Sequence, residues 1–262
     1  MIIDTHCHIY DTVFNEDFSD VIQRAQDAGI GALLLPNIDL ASSELLFQMP
    51  TSSLPMVPMI GLHPCSVKMN HLEELDALYS LLKSNPSAFC AIGEIGLDLY
   101  WDTTFQTQQV DALHKQISWA LAFDLPIVFH IRNAFDEVFV ELAQYEKTAL
   151  RGAFHCFTGT VAQAEHILEN LPGFLFGIGG VISYKNSDLK SVIKTLPLEK
   201  ILLETDAPYL PPGPHRGKRN EPSFLSYVVD HLVDCYHVGP DEIALQTTHN
   251  AHELFQLKNH GL

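Results

Sequence analysis

Short apolar runs with the character of strands recur eight times along the chain, and segments with helical periodicity separate them. Such alternation predicts a parallel sheet. Eight repeats within 262 residues favour an α/β protein that closes into a single (β/α)8 TIM barrel. The predicted strands are 2–3, 32–35, 56–60, 89–92, 127–129, 152–154, 174–178 and 201–203.

The segments between these runs carry apolar residues at helical spacing. The longest predicted helix spans about Gln106 to Phe123, and a last helix from Ile243 to Phe255 is expected to close the barrel. An open, doubly wound sheet is the alternative, but no GxGxxG motif follows the first run. No linker interrupts the pattern, so residues 1–262 are expected to form one domain.

Composition is that of an ordinary globular protein, with 47% hydrophobic and 18% charged residues. No apolar stretch is long enough to span a bilayer and no signal peptide is visible, so we expect a cytoplasmic protein without a membrane partner. Five scattered cysteines argue against a disulfide framework. The formal net charge of −17 disfavours broad binding to duplex DNA, so a nucleic-acid substrate would need metal ions or the basic segment 215–220.

Residues able to bind a metal follow most of the predicted strands. A barrel builds its active site at the carboxyl ends of its strands, so these side chains should converge. Each histidine alone is weak evidence, but together they predict a metal centre. They are His6 and His8 after the first strand, His63 after the third, Glu94 after the fourth, His130 after the fifth, His155 after the sixth and Asp206 after the eighth.

The number of candidate ligands favours two ions over one. Residues two apart on a strand point the same way, which brings the first two histidines to one face. Four histidines and two carboxylates suit two ions that share a bridging carboxylate and a bridging water. Glu94 is the predicted bridge, because its strand lies between the two ligand groups. The groups are His6, His8 and Asp206 on one side, and His130 and His155 on the other.

Metal-assisted hydrolysis is the predicted chemistry, because a metal-bound hydroxide attacks carbonyl and phosphoryl centres. Imidazole-rich ligation favours Zn, Mn, Ni or Fe, and the carboxylates leave Mg open for one site. Amide and ester substrates, including aminoacyl-tRNA, stay open within the hydrolases. A metal-binding barrel without hydrolytic activity is the alternative outside them. No obligate protein partner is indicated.

Individual roles follow from side-chain chemistry. Asp206 and Glu94 are the predicted catalytic residues, with Asp206 orienting the attacking water. Glu204 either holds a ligand imidazole or is a surface carboxylate at a strand end. Arg132 and Arg216 are predicted to bind phosphate oxygens with their guanidinium forks, and a salt bridge to Asp98 or Glu94 is the alternative for Arg132.

Residues around the expected barrel mouth have less specific predictions. Lys218 and Arg219 are read as solvated surface charge. The aromatic residues Tyr100, Trp101 and Phe157 are expected to cover the mouth by packing rather than to stack on a base.

Six short segments, in order along nearly the whole chain, combine these residues into a specific pattern. This pattern resembles the TatD-type metal-dependent deoxyribonucleases, a branch of the amidohydrolase-like barrels. The segments are Asp4–His8, Gly93–Asp98, His130–Arg132, His155–Gly159, Glu204–Leu210 and Arg216–Pro222.

The resemblance implies a (β/α)8 fold, one or two metals and hydrolysis of DNA phosphodiesters, often from a 3′ end. Because the net charge of −17 disfavours duplex binding, single-stranded or frayed 3′ ends of DNA are the expected substrate. His63 is kept at the predicted substrate rim, whereas Cys65 stands where the family often has a second histidine. The ligands that the resemblance implies are His6, His8, Glu94, His130, His155 and Asp206.

Overall fold

The computed structural model of the protein has eight parallel strands that alternate with helices. The structure describes residues 1–146 and 148–262. The strands are β1 (Ile2–Asp4), β2 (Ile30–Leu35), β3 (Met56–Pro58), β4 (Ile92–Asp98), β5 (Ile127–Arg132), β6 (Gly152–Phe154), β7 (Phe174–Ile178) and β8 (Ile201–Leu203). The α-helices are α1 (Phe18–Asp27), α2 (Leu40–Phe47), α3 (His71–Ser84), α4 (Gln106–Phe123), α5 (Phe135–Leu142), α6 (Val161–Asn170), α7 (Leu189–Ile193), α8 (Leu225–Tyr236) and α9 (Pro240–Phe255). Within the described residues, none of these helices has the length and apolar character needed to cross a membrane.

Backbone hydrogen bonds close the strands into a barrel. Strands β1 to β3 pair in order, as do β4 to β8. Two seams join these sets. Gly93 N–H donates to Ile60 O at 2.9 Å beside β4, and Thr5 N–H donates to Leu203 O at 2.9 Å between β1 and β8. The predicted (β/α)8 barrel is therefore confirmed, and the carboxyl ends of all strands meet at one mouth.

Side chains alternate between the two faces of each strand, as buried parallel strands require. On β2, Leu33 and Leu35 join the large core beneath the helices, whereas Ala32 and Leu34 join a second cluster formed mainly by strand residues. The end of α9 packs into this second cluster through Leu254 and its neighbours. The last helix thus closes the barrel, as predicted.

The fourth strand lies further along the chain than predicted. The expected run 89–92 ends where β4 begins, because β4 continues from Ile92 to Asp98 and pairs in parallel with β5. Glycines and carboxylates interrupt the apolar pattern here, and tertiary pairing overrides the weak local preference. Glu94 therefore lies within a strand rather than after it, and His130 likewise lies within β5.

Asn250 joins α9 to the start of β8. Its side-chain amide donates to Leu198 O at 2.9 Å and to Ile201 O at 2.8 Å. We expect Asn250→Ala to lower the free energy of unfolding by about 1–3 kcal/mol, because one buried and one partly buried carbonyl lose their donor. Denaturant unfolding measures this loss. Leu245→Ala, on an exposed face of the same helix, is the control, and an equal effect of both changes would contradict the prediction.

Candidate metal centre

Glu94 lies at the centre of the barrel mouth, and its two carboxylate oxygens face different histidines. Oε2 is 3.2 Å from His6 Nε2 and 3.8 Å from His8 Nε2. Oε1 is 2.8 Å from His130 Nδ1 and 3.7 Å from His155 Nε2. The structure thus brings together the two histidine groups that the sequence predicted, with Glu94 between them.

Asp206 completes the group around the first strand. Its Oδ1 lies 3.4 Å from His8 Nε2 and 3.7 Å from His6 Nε2, and it also lies 3.7 Å from His155 Nε2. The residue follows β8 in a left-handed conformation (φ 58°), which aspartate tolerates better than most residues. Its backbone N–H donates to His6 O at 2.9 Å, so the seam between β1 and β8 fixes its position.

His63, predicted to lie at the substrate rim, lies beside Glu94 at the centre of the barrel mouth. Its Nε2 is 3.5 Å from Glu94 Oε1, and its ring centroid is 4.3 Å from that of His130. However, its Nδ1 accepts the backbone N–H of Cys65 at 3.0 Å. The neutral imidazole therefore carries its proton on Nε2, where it can donate to Glu94 rather than bind a metal.

Tyr10, which the sequence did not single out, selects the tautomer of His8. Its hydroxyl donates to Pro36 O at 2.8 Å and lies 2.8 Å from His8 Nδ1. A phenol has one proton, so the hydroxyl must accept from His8 Nδ1–H. The lone pair of His8 is then on Nε2, which faces Glu94 and Asp206.

Two further carboxylates contact the outer nitrogens of the histidines. Glu204 is buried, so the alternative of a surface carboxylate is wrong. Its Oε1 is 2.9 Å from His155 Nδ1, at an angle outside that of a well-formed hydrogen bond. Asp98, which sequence reasoning missed as part of the site, accepts from His130 Nε2 at 2.9 Å. Carboxylates in these positions orient ligand imidazoles in metal sites.

Asp4, the first residue of the segment Asp4–His8, connects the end of β1 to the end of β8. It is fully buried and accepts the backbone N–H of Thr205 at 3.0 Å and that of His6 at 3.3 Å. Burial raises the pKa of Asp4 to about 7, although the hydrogen bonds from Thr205 and His6 oppose this shift. Its role here is to fix the ends of β1 and β8 beside each other.

The cluster attracts positive charge. Burial would raise the pKa of Glu94, but His6, His63 and His155 outweigh it and hold this pKa well below its ordinary range. Burial lowers the pKa of His130, but Asp98 and Glu94 more than offset this effect and raise it to about 9. In the absence of metal, Glu94 therefore stays ionised and, together with Asp98, holds a proton on His130, whereas burial lowers the pKa of His6 and that of His63.

The donor atoms fit divalent metal ions. Two ligand atoms at about 2.1 Å from one tetrahedral ion lie roughly 3.4 Å apart. The Nε2 atoms of His6 and His8 lie 3.2–3.8 Å from Glu94 Oε2 and Asp206 Oδ1, which matches this separation. Among the described residues, potential ligand atoms within 4.8 Å of one another form three groups: His6, His8 and Asp206; His6, His155 and Glu204; and His63, Glu94 and His130.

The two predicted phosphate-binding arginines are exposed and stack on aromatic rings. The Arg132 guanidinium lies 3.8 Å from the centroid of Tyr100, and that of Arg216 lies 4.4 Å from the centroid of Tyr184. Among the described residues Arg132 forms no ion pair, so the alternative of a salt bridge to Asp98 or Glu94 is wrong.

Part of the positive charge of the basic segment 215–220 is neutralised by ion pairs in the fold. Arg219 forms a two-pronged pair with Asp17, with both distances 2.7 Å, so its prediction as solvated charge is wrong. Arg24 forms a second such pair with Glu221, at 2.8 and 2.7 Å, and reaches Asp17 at 3.2 Å. These four residues form an ion-pair network that holds the segment after β8 against α1. Lys218 is exposed, as predicted.

Three aromatic residues were expected to cover the mouth by packing, and the structure confirms this for one of them. The expectation is confirmed for Phe157, which is fully buried. It is wrong for Tyr100 and Trp101, which are each more than half exposed. One residue separates them from β4, and the strand carries them past the core to the rim.

Comparison with known proteins identifies the family. Residues 3–256 match the family described as TatD related DNase. The chain belongs to this family. It is accordingly a metal-dependent hydrolase, and the resemblance seen in the sequence is confirmed.

Several relatives match this chain along nearly their whole length. The uncharacterized metal-dependent hydrolase YabD of Bacillus subtilis is 33% identical, over 98% of this chain and 100% of the relative. The 3′-5′ ssDNA/RNA exonuclease TatD of Erwinia amylovora is 30% identical, over 98% of this chain and 100% of the relative. The crystal structure of YjjV, a TatD homologue from Escherichia coli, has 32% identity and a TM-score of 0.89, and covers 97% of this chain and 98% of that one.

We predict that Glu94→Gln lowers the metal content of this TatD-family protein by at least one ion per chain. The amide keeps the size of the side chain but lacks the charge that a bridging ligand needs. Elemental analysis of dialysed protein measures the content, and circular dichroism checks the fold. Glu73→Gln, at an exposed position of α3, is the matched control. Unchanged metal content in Glu94→Gln would refute Glu94 as a ligand.

The ion-pair network predicts a pH-dependent contribution to stability. Hydrogen bonds from Arg219, followed by those from Arg24, lower the pKa of Asp17 from 3.8 to about 2. A carboxyl whose pKa is lowered by folding stabilises the protein above its unfolded pKa, and this stabilisation is lost as the pH falls through the folded pKa.

Asp17→Asn should therefore lower the Tm of the metal-free protein at pH 7 and at pH 5 by similar amounts. The difference from wild type should shrink as the pH falls below about 3.8 towards 2. Thermal unfolding at each pH measures it. Asp27→Asn, at the exposed end of the same helix, is the control, and a gap that widened in acid would contradict the sign.

Proposed function

We propose that the protein is a deoxyribonuclease that hydrolyses phosphodiester bonds from the 3′ end of single-stranded DNA. The observation that carries the proposal is the position of Glu94, whose two oxygens face two separate groups of metal-binding side chains. That arrangement suits a pair of divalent ions, which hydrolases use on phosphate esters. A relative named as a 3′-5′ ssDNA/RNA exonuclease supports the choice of substrate.

The proposed ligands divide around Glu94. His6, His8 and Asp206 would hold one ion, and His130 and His155 would hold the other, with Glu94 shared. The bound ions would supply a nucleophilic hydroxide and polarise the phosphoryl oxygen.

Residues of the chain itself would orient the reaction. Asp206 borders both histidine groups, so its carboxylate is placed to accept a proton from the attacking water. Asp98 and Glu204 would fix the imidazole rings of His130 and His155. His63 would donate its Nε2 proton to Glu94 or, when substrate is bound, to a phosphate oxygen.

Charge on the surface favours a strand end over an internal site in a duplex. The chain carries a net charge of −17, and Asp17 neutralises Arg219 within the basic segment. Exposed cations beside the mouth, within the described part of the chain, include Arg132, Arg216, Lys218 and Lys68, and such a small set does not give the broad contact that duplex binding uses. A free 3′ end can enter a pocket at the mouth, whereas an internal phosphodiester of a duplex would need large distortion.

The test is cleavage of 5′-labelled oligonucleotides, read as a ladder. We expect stepwise loss of nucleotides from the 3′ end of single-stranded DNA, loss of activity with a chelator, and little cleavage of covalently closed circular duplex. Arg216→Lys should lower kcat/KM on DNA by about tenfold, because an ammonium cannot replace a two-pronged guanidinium contact. Lys218→Arg is the matched control at an exposed neighbouring position.

An uncharged ester and an RNA oligonucleotide complete the panel. Arg216→Lys should leave ester hydrolysis unchanged if the arginine binds phosphate. Efficient, salt-insensitive cleavage of closed circular DNA would overturn the proposal. Hydrolysis of esters or amides alone would place the protein with the amide and ester hydrolases instead.

A further inference from the structure

Two aromatic side chains stand exposed beside the metal centre. Tyr100 is 51% exposed and Trp101 is 68% exposed, and one residue separates them from β4, which carries Glu94. Their rings are nearly perpendicular, with centroids 4.9 Å apart. Large exposed aromatic surface that is not needed for packing commonly marks a binding site.

Arg132 lies against this aromatic pair. Its guanidinium carbon is 3.8 Å from the Tyr100 centroid and 5.1 Å from the Trp101 centroid. Among the described residues Arg132 has no carboxylate partner, so its N–H donors stay open to a ligand. Stacking on the rings also restricts the arginine side chain, which lowers the entropy that it would lose on binding.

One carboxylate connects the aromatic pair to the metal centre. Asp98 Oδ1 accepts the backbone N–H groups of Tyr100 at 3.0 Å and Trp101 at 3.2 Å. The other oxygen of the same side chain accepts from His130 Nε2 at 2.9 Å. Arg132 follows His130 by two residues on β5 and pairs in register with Asp98. The aromatic pair and Arg132 are therefore held in a fixed position relative to a proposed metal ligand.

Space for a nucleotide lies beside Arg132. A groove of about 510 Å³ runs along the ends of β5 and β6, and its lining is mainly polar. Its polar lining consists of Arg132, Asn133, Thr158 and Gln163, together with the acidic residues Asp136 and Glu137. Its volume lies within the range of small-molecule sites, and its side chains offer both hydrogen-bond donors and acceptors.

We propose that Tyr100, Trp101 and Arg132 form a base-stacking platform, which holds an unpaired nucleobase near the 3′ end of the substrate while Arg132 contacts a phosphate. This proposal rests on the proposed function, and it explains how the enzyme would select single-stranded DNA. Aromatic faces stack on any base, so the platform would be tolerant of sequence. A base inside a duplex is already stacked on its neighbours, so the platform would favour single strands.

Intrinsic fluorescence tests the platform without relying on activity. The chain has two tryptophans, and Trp119 is buried, so Trp101 is the accessible one. The metal-loaded protein is titrated with a single-stranded oligonucleotide whose phosphorothioate linkages resist cleavage. A second oligonucleotide is identical except for abasic sites at its last three 3′ residues. We expect quenching by the first and much less by the second. Trp101→Phe should remove the quenching.

Kinetics test the effect on the substrate. Trp101→Ala should raise KM for the normal, cleavable oligonucleotide by about tenfold while kcat changes little, and it should leave KM for the abasic version unchanged. Trp101→Phe should restore most of the affinity because the ring is kept. Phe47→Ala is the control, since Phe47 is an exposed aromatic residue at the far end of α2.

The outcomes separate the platform from the proposed function. Equal quenching by both oligonucleotides, or an equal rise in KM for both, would overturn base stacking. Cleavage of DNA without quenching would overturn the platform and leave the nuclease proposal intact. Base-dependent quenching without cleavage of any DNA would support the platform and overturn the nuclease proposal.

Discussion

Buried carboxylates that need compensating positive charge govern the architecture of the barrel mouth. Glu94, Asp98 and Glu204 are almost fully buried, and Asp206 is only slightly exposed. An isolated carboxylate in such a place would cost several kcal/mol, so each must be paired. The fold meets this need with histidines from β5 and from the segments that follow β1, β3 and β6, and the charge that remains makes the mouth a strong site for cations. Folding and the proposed metal binding therefore depend on the same side chains.

Uninterrupted apolar runs were sufficient to locate strands. The predictions for 152–154, 174–178 and 201–203 coincide with β6, β7 and β8. The prediction failed at β4, where Glu94 and Asp98 share a strand with two glycines and the apolar signal stops at Ile92. The same error hid Asp98 from the site. Its even spacing from Glu94 was the available signal, because residues four apart on a strand point the same way.

Other parts of the site could not be predicted from local pattern at all. Asp4 meets Thr205, and Asp17 meets Arg219, across about two hundred residues of sequence. Nothing near either residue indicates its partner, because only the closed barrel brings them together. Likewise, Tyr10 looks like any aromatic core residue until its hydroxyl is seen between His8 and Pro36. The histidines of the site could be predicted from the sequence, because strand ends must converge in a barrel whatever the register of the strands.

The seam between β1 and β8 has a consequence for the order of events during synthesis. His6 and His8 belong to the first residues of the chain, whereas Asp206 is made after more than three quarters of it. Contacts across such a distance form late, because the loop entropy must be overcome before they contribute. A chain still emerging from the ribosome would present histidines and Glu94 without Asp206, and with α9 not yet able to close the barrel. The proposed ligand set is then complete only after Asp206 has been made, and a product truncated before this residue would lack one of the proposed ligands.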